Sequence, residues 1–132
     1  MKKLLLPLLG LLVLAAVSCN KKTTSVKFDG GIFNEKVFKS TTNLVIDEEK
    51  SVISLHNEDD IVNIKKTIIS SEPKKDNLGD DCTLYNLSDG SKYYDLRSKF
   101  FGRRGLYIEP NGKRVDIFNT GKKKQKINLN FD

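Results

Sequence analysis

No alanine follows Ala16 and no methionine follows Met1, and this absence constrains the fold of the 132-residue chain more than any motif in it. Alanine is the best helix former and the commonest filler of helix faces. Ile, Val, Thr, Tyr and Phe stand in its place, residues that suit a pleated, half-buried surface. Asn and Gly recur where the chain has the chemistry of turns. This is the composition of an all-β protein, and the length allows one domain.

The pattern along the chain predicts strands over 25–29, 32–39, 43–47, 51–56, 61–70, 82–87, 92–101, 106–109, 113–119 and 125–131. Turns are expected at Gly30-Gly31, 48–50, 57–60, 88–91, 102–105 and 110–112, and the longest loop at 71–81, which holds Pro73 and Gly79. Asn111-Gly112 between alternating runs is the strongest short hairpin signal. At the C-terminal end Ile127, Leu129 and Phe131 alternate with Lys126, Asn128 and Asn130. Short turns make neighbours antiparallel. The expectation is a small antiparallel meander of roughly nine or ten short strands, a barrel or sandwich. An open sheet is disfavoured because no amphipathic helix is available to cover its apolar face.

The N-terminus is of a different kind. Met1-Lys2-Lys3 is a basic start, 4–17 is an apolar run broken only by Pro7 and Gly10, and Ala15-Ala16-Val17-Ser18 leads to Cys19. That order of charge, apolar core and small residues is the order of an export signal. The run is shorter than the ~18 residues a spanning helix needs. Ala16-Val17-Ser18-Cys19 resembles the lipobox of bacterial lipoproteins, with Ala16 where that family prefers Leu. The resemblance covers about the first 20 residues. It implies a cut before Cys19 and acylation of that residue, and two or three acyl chains hold a protein on a membrane far better than one. Asn20 after the Cys resembles an outer-membrane address in enteric-type sorting. The expected organisation is a signal peptide at 1–18, a lipid-anchored tether at 19–25 and one all-β domain at 26–132.

If Cys19 carries lipid, Cys82 has no cysteine to pair with; a Cys19–Cys82 disulfide is the rival reading. Cys82 itself reads as a small buried residue at the start of a strand. Catalytic and metal-binding chemistry is sparse. His56 is the only histidine, and at a strand end it reads as a surface residue. No Gly-x-Ser-x-Gly elbow and no glycine-rich phosphate loop occur. The Asp76–Asp81 stretch lacks the alternating ligand order of a calcium loop. No cofactor, metal or enzymatic activity is expected.

Charge is more informative. Residues 19–81 carry 10 basic and 12 acidic side chains, whereas residues 82–132 carry 11 and 5. Arg103-Arg104 fall in the predicted turn at 102–105, and Lys122, Lys123 and Lys124 fall in a further predicted turn that Gly121 starts, at the same end of a meander. With Phe100 and Phe101 beside them they would form a basic rim able to grip an anionic lipid, a glycan or an acidic protein. Nucleic acid is not expected, because export removes the chain from it. The functional expectation is a monomeric, non-enzymatic binding or structural lipoprotein of the cell envelope, at the outer membrane. The alternative is a periplasmic inhibitor of a hydrolase such as lysozyme; the chain is similar to such lipoproteins in size, anchor and strand content alone.

Overall fold

The computed structural model describes residues 22–99 and 102–120. They contain no helix and ten strands. Strand β1 spans Thr23–Phe28, β2 Gly30–Phe33, β3 Lys36–Phe38 and β4 Thr42–Asp47. Then come β5 at Val52–Asn57, β6 at Asn63–Lys75 and β7 at Asp81–Leu87. The last three are β8 at Lys92–Ser98, β9 at Gly102–Ile108 and β10 at Arg114–Phe118.

All neighbours are antiparallel, in the order β1-β4-β5-β6-β7-β8-β9-β10-β2-β3. From β4 to β10 this is the expected meander. The departure is at the start. β1 pairs with β4 while β2 pairs with β10, yet only Asp29 separates β1 from β2. The sheet must therefore curl until β1, at one end of the order, and β2, next to the other end, are one residue apart. Asp29 fixes this corner to the end of β10: its backbone N–H donates to Asn119 Oδ1 (3.2 Å), and its carboxylate accepts from the Thr120 N–H (2.6 Å) and hydroxyl (3.1 Å). A second corner is tied by the buried Asn57 amide. It donates to the Ser40 and Thr42 hydroxyls, both at 3.0 Å, and accepts from the Asp59 N–H at 2.8 Å.

Alternation sends one face of every strand inward. Phe28, Leu44, Ile46, Ile53 and Leu55 meet Tyr85, Leu87, Tyr93, Tyr107, Val115 and Ile117 in one core. Each such side chain contributes about 1.5–3 kcal/mol through burial. Cys82, Leu96 and Leu106, with Tyr94 and Ile108, form a smaller cluster on the opposite face of β7–β9.

Four expected boundaries are corrected. Gly30 and Gly31 lie within β2 rather than in a turn, because Gly31 leaves the space that the Phe38 ring and the Asp116 carbonyl oxygen fill. The turn is at Asn34-Glu35, both at positive φ (51° and 64°), in a two-residue hairpin closed by Phe33 and Lys36. The 71–81 loop is shorter than expected, since β6 runs on to Lys75. A bulge between Ile68 and Ser70 carries β6 past the end of β5, and beyond it the described pairing is with β7 alone. Pro73 lies in this stretch, where β6 pairs on one side only and a proline whose nitrogen faces the other side removes no ladder bond. Finally, Gly102–Arg103–Arg104–Gly105 is not a turn but the first half of β9. Thr23, Thr24 and Ser25, expected in a tether, belong to β1. Cys19 and the predicted strand at 125–131 lie outside the described residues.

Candidate anion-binding site on the inner face

The register of β7, β8 and β9 builds a polar cluster at one end of the inner face. Asp95 stands opposite Thr83 and Gly105, and two residues on Arg97 stands opposite Asp81 and Arg103. Two arginines directly across a ladder repel. Asp95 makes the pair tolerable. Its side chain is 2 % exposed and accepts both guanidinium groups. Arg103 approaches through Nε to Oδ1 (2.9 Å) and Nη2 to Oδ2 (2.7 Å). Arg97 donates Nη1 to Oδ2 (2.9 Å) and Nη2 to the Thr83 hydroxyl (3.0 Å). Such bidentate, charge-assisted contacts fix guanidinium planes firmly. Hydrogen bonding to Asp95 raises the Arg103 pKa further, against the pull of burial.

One buried carboxylate thus holds two cations, and the cluster keeps one positive charge in excess. Arg103 engages Asp95 with its Nε edge, so the edge formed by Nη1 and the outer N–H of Nη2 faces away. The Arg103 and Arg97 side chains are 30 % and 41 % exposed. Under the pair lies Tyr93, fully buried, whose hydroxyl is the buried side-chain polar atom left without a hydrogen-bond partner among the described residues. The hydroxyl occupies the position that a Cβ on Gly105 would take, directly across the ladder from Asp95. Burial and then the Asp95 charge push the Tyr93 pKa well up, so the phenol stays protonated and available as a donor.

A second inner-face cluster is already satisfied. Lys66 on β6 pairs with Asp89 in the β7–β8 turn and donates to the Tyr107 and Ser91 hydroxyls. Its Nζ lies 5.1 Å from the Tyr107 ring centre. Because it also bonds that ring's hydroxyl, it sits at the ring's polar edge and not over its face. This group ties β6 to β9 and to the β7–β8 turn, and its single charge is matched by Asp89.

The expected basic rim is redrawn. Arg103 and Arg104 are consecutive in a strand, so they point to opposite faces. Arg103 joins Asp95. Arg104 is 8 % exposed on the outer face, 5.9 Å from the Phe118 ring centre, and burial pulls its pKa down. Phe100, Phe101, Lys122, Lys123 and Lys124 lie outside the described residues. Around the cluster, Lys75, Arg97, Lys99 and Arg103 are offset by Asp76, Asp80, Asp81 and Asp95. Lys75 bonds Asp81 at 3.0 Å. Among the described residues this end is close to neutral; what it offers is local geometry. Sequence reasoning missed Thr83, Tyr93, Asp95 and Arg97. The signal was there in Tyr93-x-Asp95-x-Arg97, which puts a carboxylate on the same strand face as a tyrosine and an arginine.

The remaining candidates behave as ordinary structure. His56 is exposed on β5. Cys82 is a buried free thiol whose pKa burial pushes up to about 11, far from reactive at neutral pH. Asp76 spends its carboxylate on its own loop, accepting from the Leu78 and Asp80 N–H groups at 2.9 Å.

Comparison with protein-family models, curated proteins and solved structures gives no match.

Proposed function

We propose that this chain is an exported envelope lipoprotein, anchored through Cys19 to the outer membrane, whose β domain binds an anionic group of an envelope partner without catalysing a reaction. The observation that carries the binding half of this reading is the Arg97–Asp95–Arg103 cluster, with two partly exposed guanidinium groups held on one buried carboxylate. Such a fork is pre-organised, so little side-chain entropy is lost when an anion docks. The anchoring half rests on the basic start, the apolar run and the Ala16-Val17-Ser18-Cys19 sequence.

Two experiments test the two halves separately. The Cys19→Ser chain is expected to lose membrane partitioning and to keep its signal uncut; normal partitioning and cutting would refute the anchor. A pull-down from envelope extract with the full chain, at low and at high salt, is expected to recover a component that high salt releases. Recovery that ignores salt would count against an anionic contact.

A further inference from the structure

We infer that the C-terminal segment 125–131 of this chain lies across the outer face of β7–β10, with Ile127, Leu129 and Phe131 turned onto it.

The face itself demands a cover. The register sets Cys82, Leu96, Arg104 and Phe118 in one row across β7, β8, β9 and β10, and Leu84 and Leu106 in the next row along. Side chains standing side by side on a sheet screen each other's flanks but leave their tips in water, unless a second layer is stacked on them. Here Leu106 is 0 % exposed, Cys82 1 %, Leu84 4 % and Leu96 5 %. On the inner face the second layer is β4 and β5, which contribute Leu44, Ile46, Ile53 and Leu55. On the outer face the described side chains that pack together all come from β7–β9 themselves. The shielding arises within a single chain, so neither a second copy nor another protein supplies it.

The cover therefore comes from outside the described residues, and three features select 125–131. The first is reach. Phe118, the last residue of β10, is itself on this face, and Asp29 holds Thr120 just beyond it. Residues 121–124 allow a turn, and the seven that follow can extend over about 23 Å, more than the roughly 14 Å from β10 to β7. The second is pattern. Ile127, Leu129 and Phe131 alternate with Lys126, Asn128 and Asn130, so an extended segment has one apolar and one polar side. Phe100 and Phe101, between β8 and β9, are two side chains at one end of the face, too few to shield both rows. The apolar run 4–17 has no polar side to turn to water, and on the export reading it leaves the mature chain. The third feature is polar supply. A lone strand brings backbone N–H and C=O groups that need partners. Tyr94, Arg104 and Asp116 stand among the apolar side chains of this face, and each has partners beyond the contacts given above.

The test uses the full mature chain in detergent micelles. In its NMR spectra the Ile127 and Leu129 methyl groups and the Phe131 ring are expected to show nuclear Overhauser contacts to Leu84, Leu96 and Leu106. Cys82 gives a second readout, because it lies under the proposed cover. Leu129→Asp should raise the rate at which a maleimide modifies Cys82 about tenfold, by favouring local opening. Asn128→Asp, on the side turned to water, should leave that rate unchanged. The Overhauser contacts are read on the unsubstituted chain and do not depend on a variant's folding. Their absence would overturn the inference, as would contacts to Leu106 from Phe100 and Phe101 alone. Contacts from residues 4–17 would overturn it together with the export reading. Equal effects of Leu129→Asp and Asn128→Asp on Cys82 would also overturn it, since the segment would then not present one side to the sheet.

Discussion

The Tyr93 hydroxyl occupies the place of the side chain that Gly105 lacks. The two residues are diagonal neighbours across β8 and β9, and the ring lies over the glycine with Ile117 on its other side. Gly105→Ala would press a methyl group into the phenol and into Ile117, 2.9 Å away. It should destabilise the fold by about 1–3 kcal/mol, the usual range for overpacking. Urea unfolding measures it, and a loss below the error of that method would contradict the packing described. Tyr93→Phe should have the opposite sign or none, because it removes an unsatisfied buried donor.

Asp95 is the keystone of the inner cluster. Asp95→Asn leaves Arg97 and Arg103 facing each other with no countercharge, and the loss should be about 3 kcal/mol, as when one partner of a buried ion pair is removed. Adding Arg103→Gln to that variant should restore part of the stability, since it relieves the repulsion. Strict additivity of the two losses in a double-mutant cycle would show that the groups are not coupled.

The Lys66 cluster gives a prediction in pH. Burial lowers the Lys66 pKa, but the bonds to Asp89 and Tyr107 outweigh it and the net shift is upward. Bonds from Lys66 and Ser91 lower the Asp89 pKa. A depressed carboxylate stabilises the fold above its ordinary pKa and loses that contribution as pH falls through the folded value. A raised lysine stabilises below its ordinary pKa and loses it as pH rises. The wild-type melting temperature should therefore fall more steeply below pH 4 than that of Asp89→Asn. Parallel acid limbs would exclude the pairing.

Cys82 acts at the other end of the scale. Its thiol pKa rises from 9.0 to about 11 on folding, chiefly through burial. The unfolded thiol ionises first, so increasing pH favours the unfolded chain between those values. Stability should drop by roughly 2–3 kcal/mol across that window, and Cys82→Ala should remove this part of the slope. The buried tyrosines, whose pKa values are also raised, add a further fall above pH 10 in both proteins. Equal slopes between pH 9 and 10 in wild type and variant would contradict the assignment.

Much of the fold was legible because strand identity is written in local alternation. The central strands β4, β5, β7 and β8 begin within a residue or two of where the pattern puts them. What the pattern misjudged follows from glycine and arginine having two uses. Gly30-Gly31 and Gly102–Gly105 have turn composition, but each lies in a strand where a ring or a hydroxyl needs the missing Cβ. Asn34-Glu35 lacks a glycine and yet takes the positive φ of a two-residue turn. The candidate site was half legible. Arg103 was singled out for its charge, but its partners come from β7 and β8, and only the register shows that Arg97 and Asp95 face it.

The most direct test of the account is to compare, on one envelope extract, retention by the full wild-type chain and by the Arg97→Gln/Arg103→Gln double variant, which keeps Asp95 and the core. The account predicts that wild type retains an anionic component released by salt, and that the folded double variant retains at least tenfold less of it. Equal retention by the two proteins would contradict the claim that this cluster is where the domain binds.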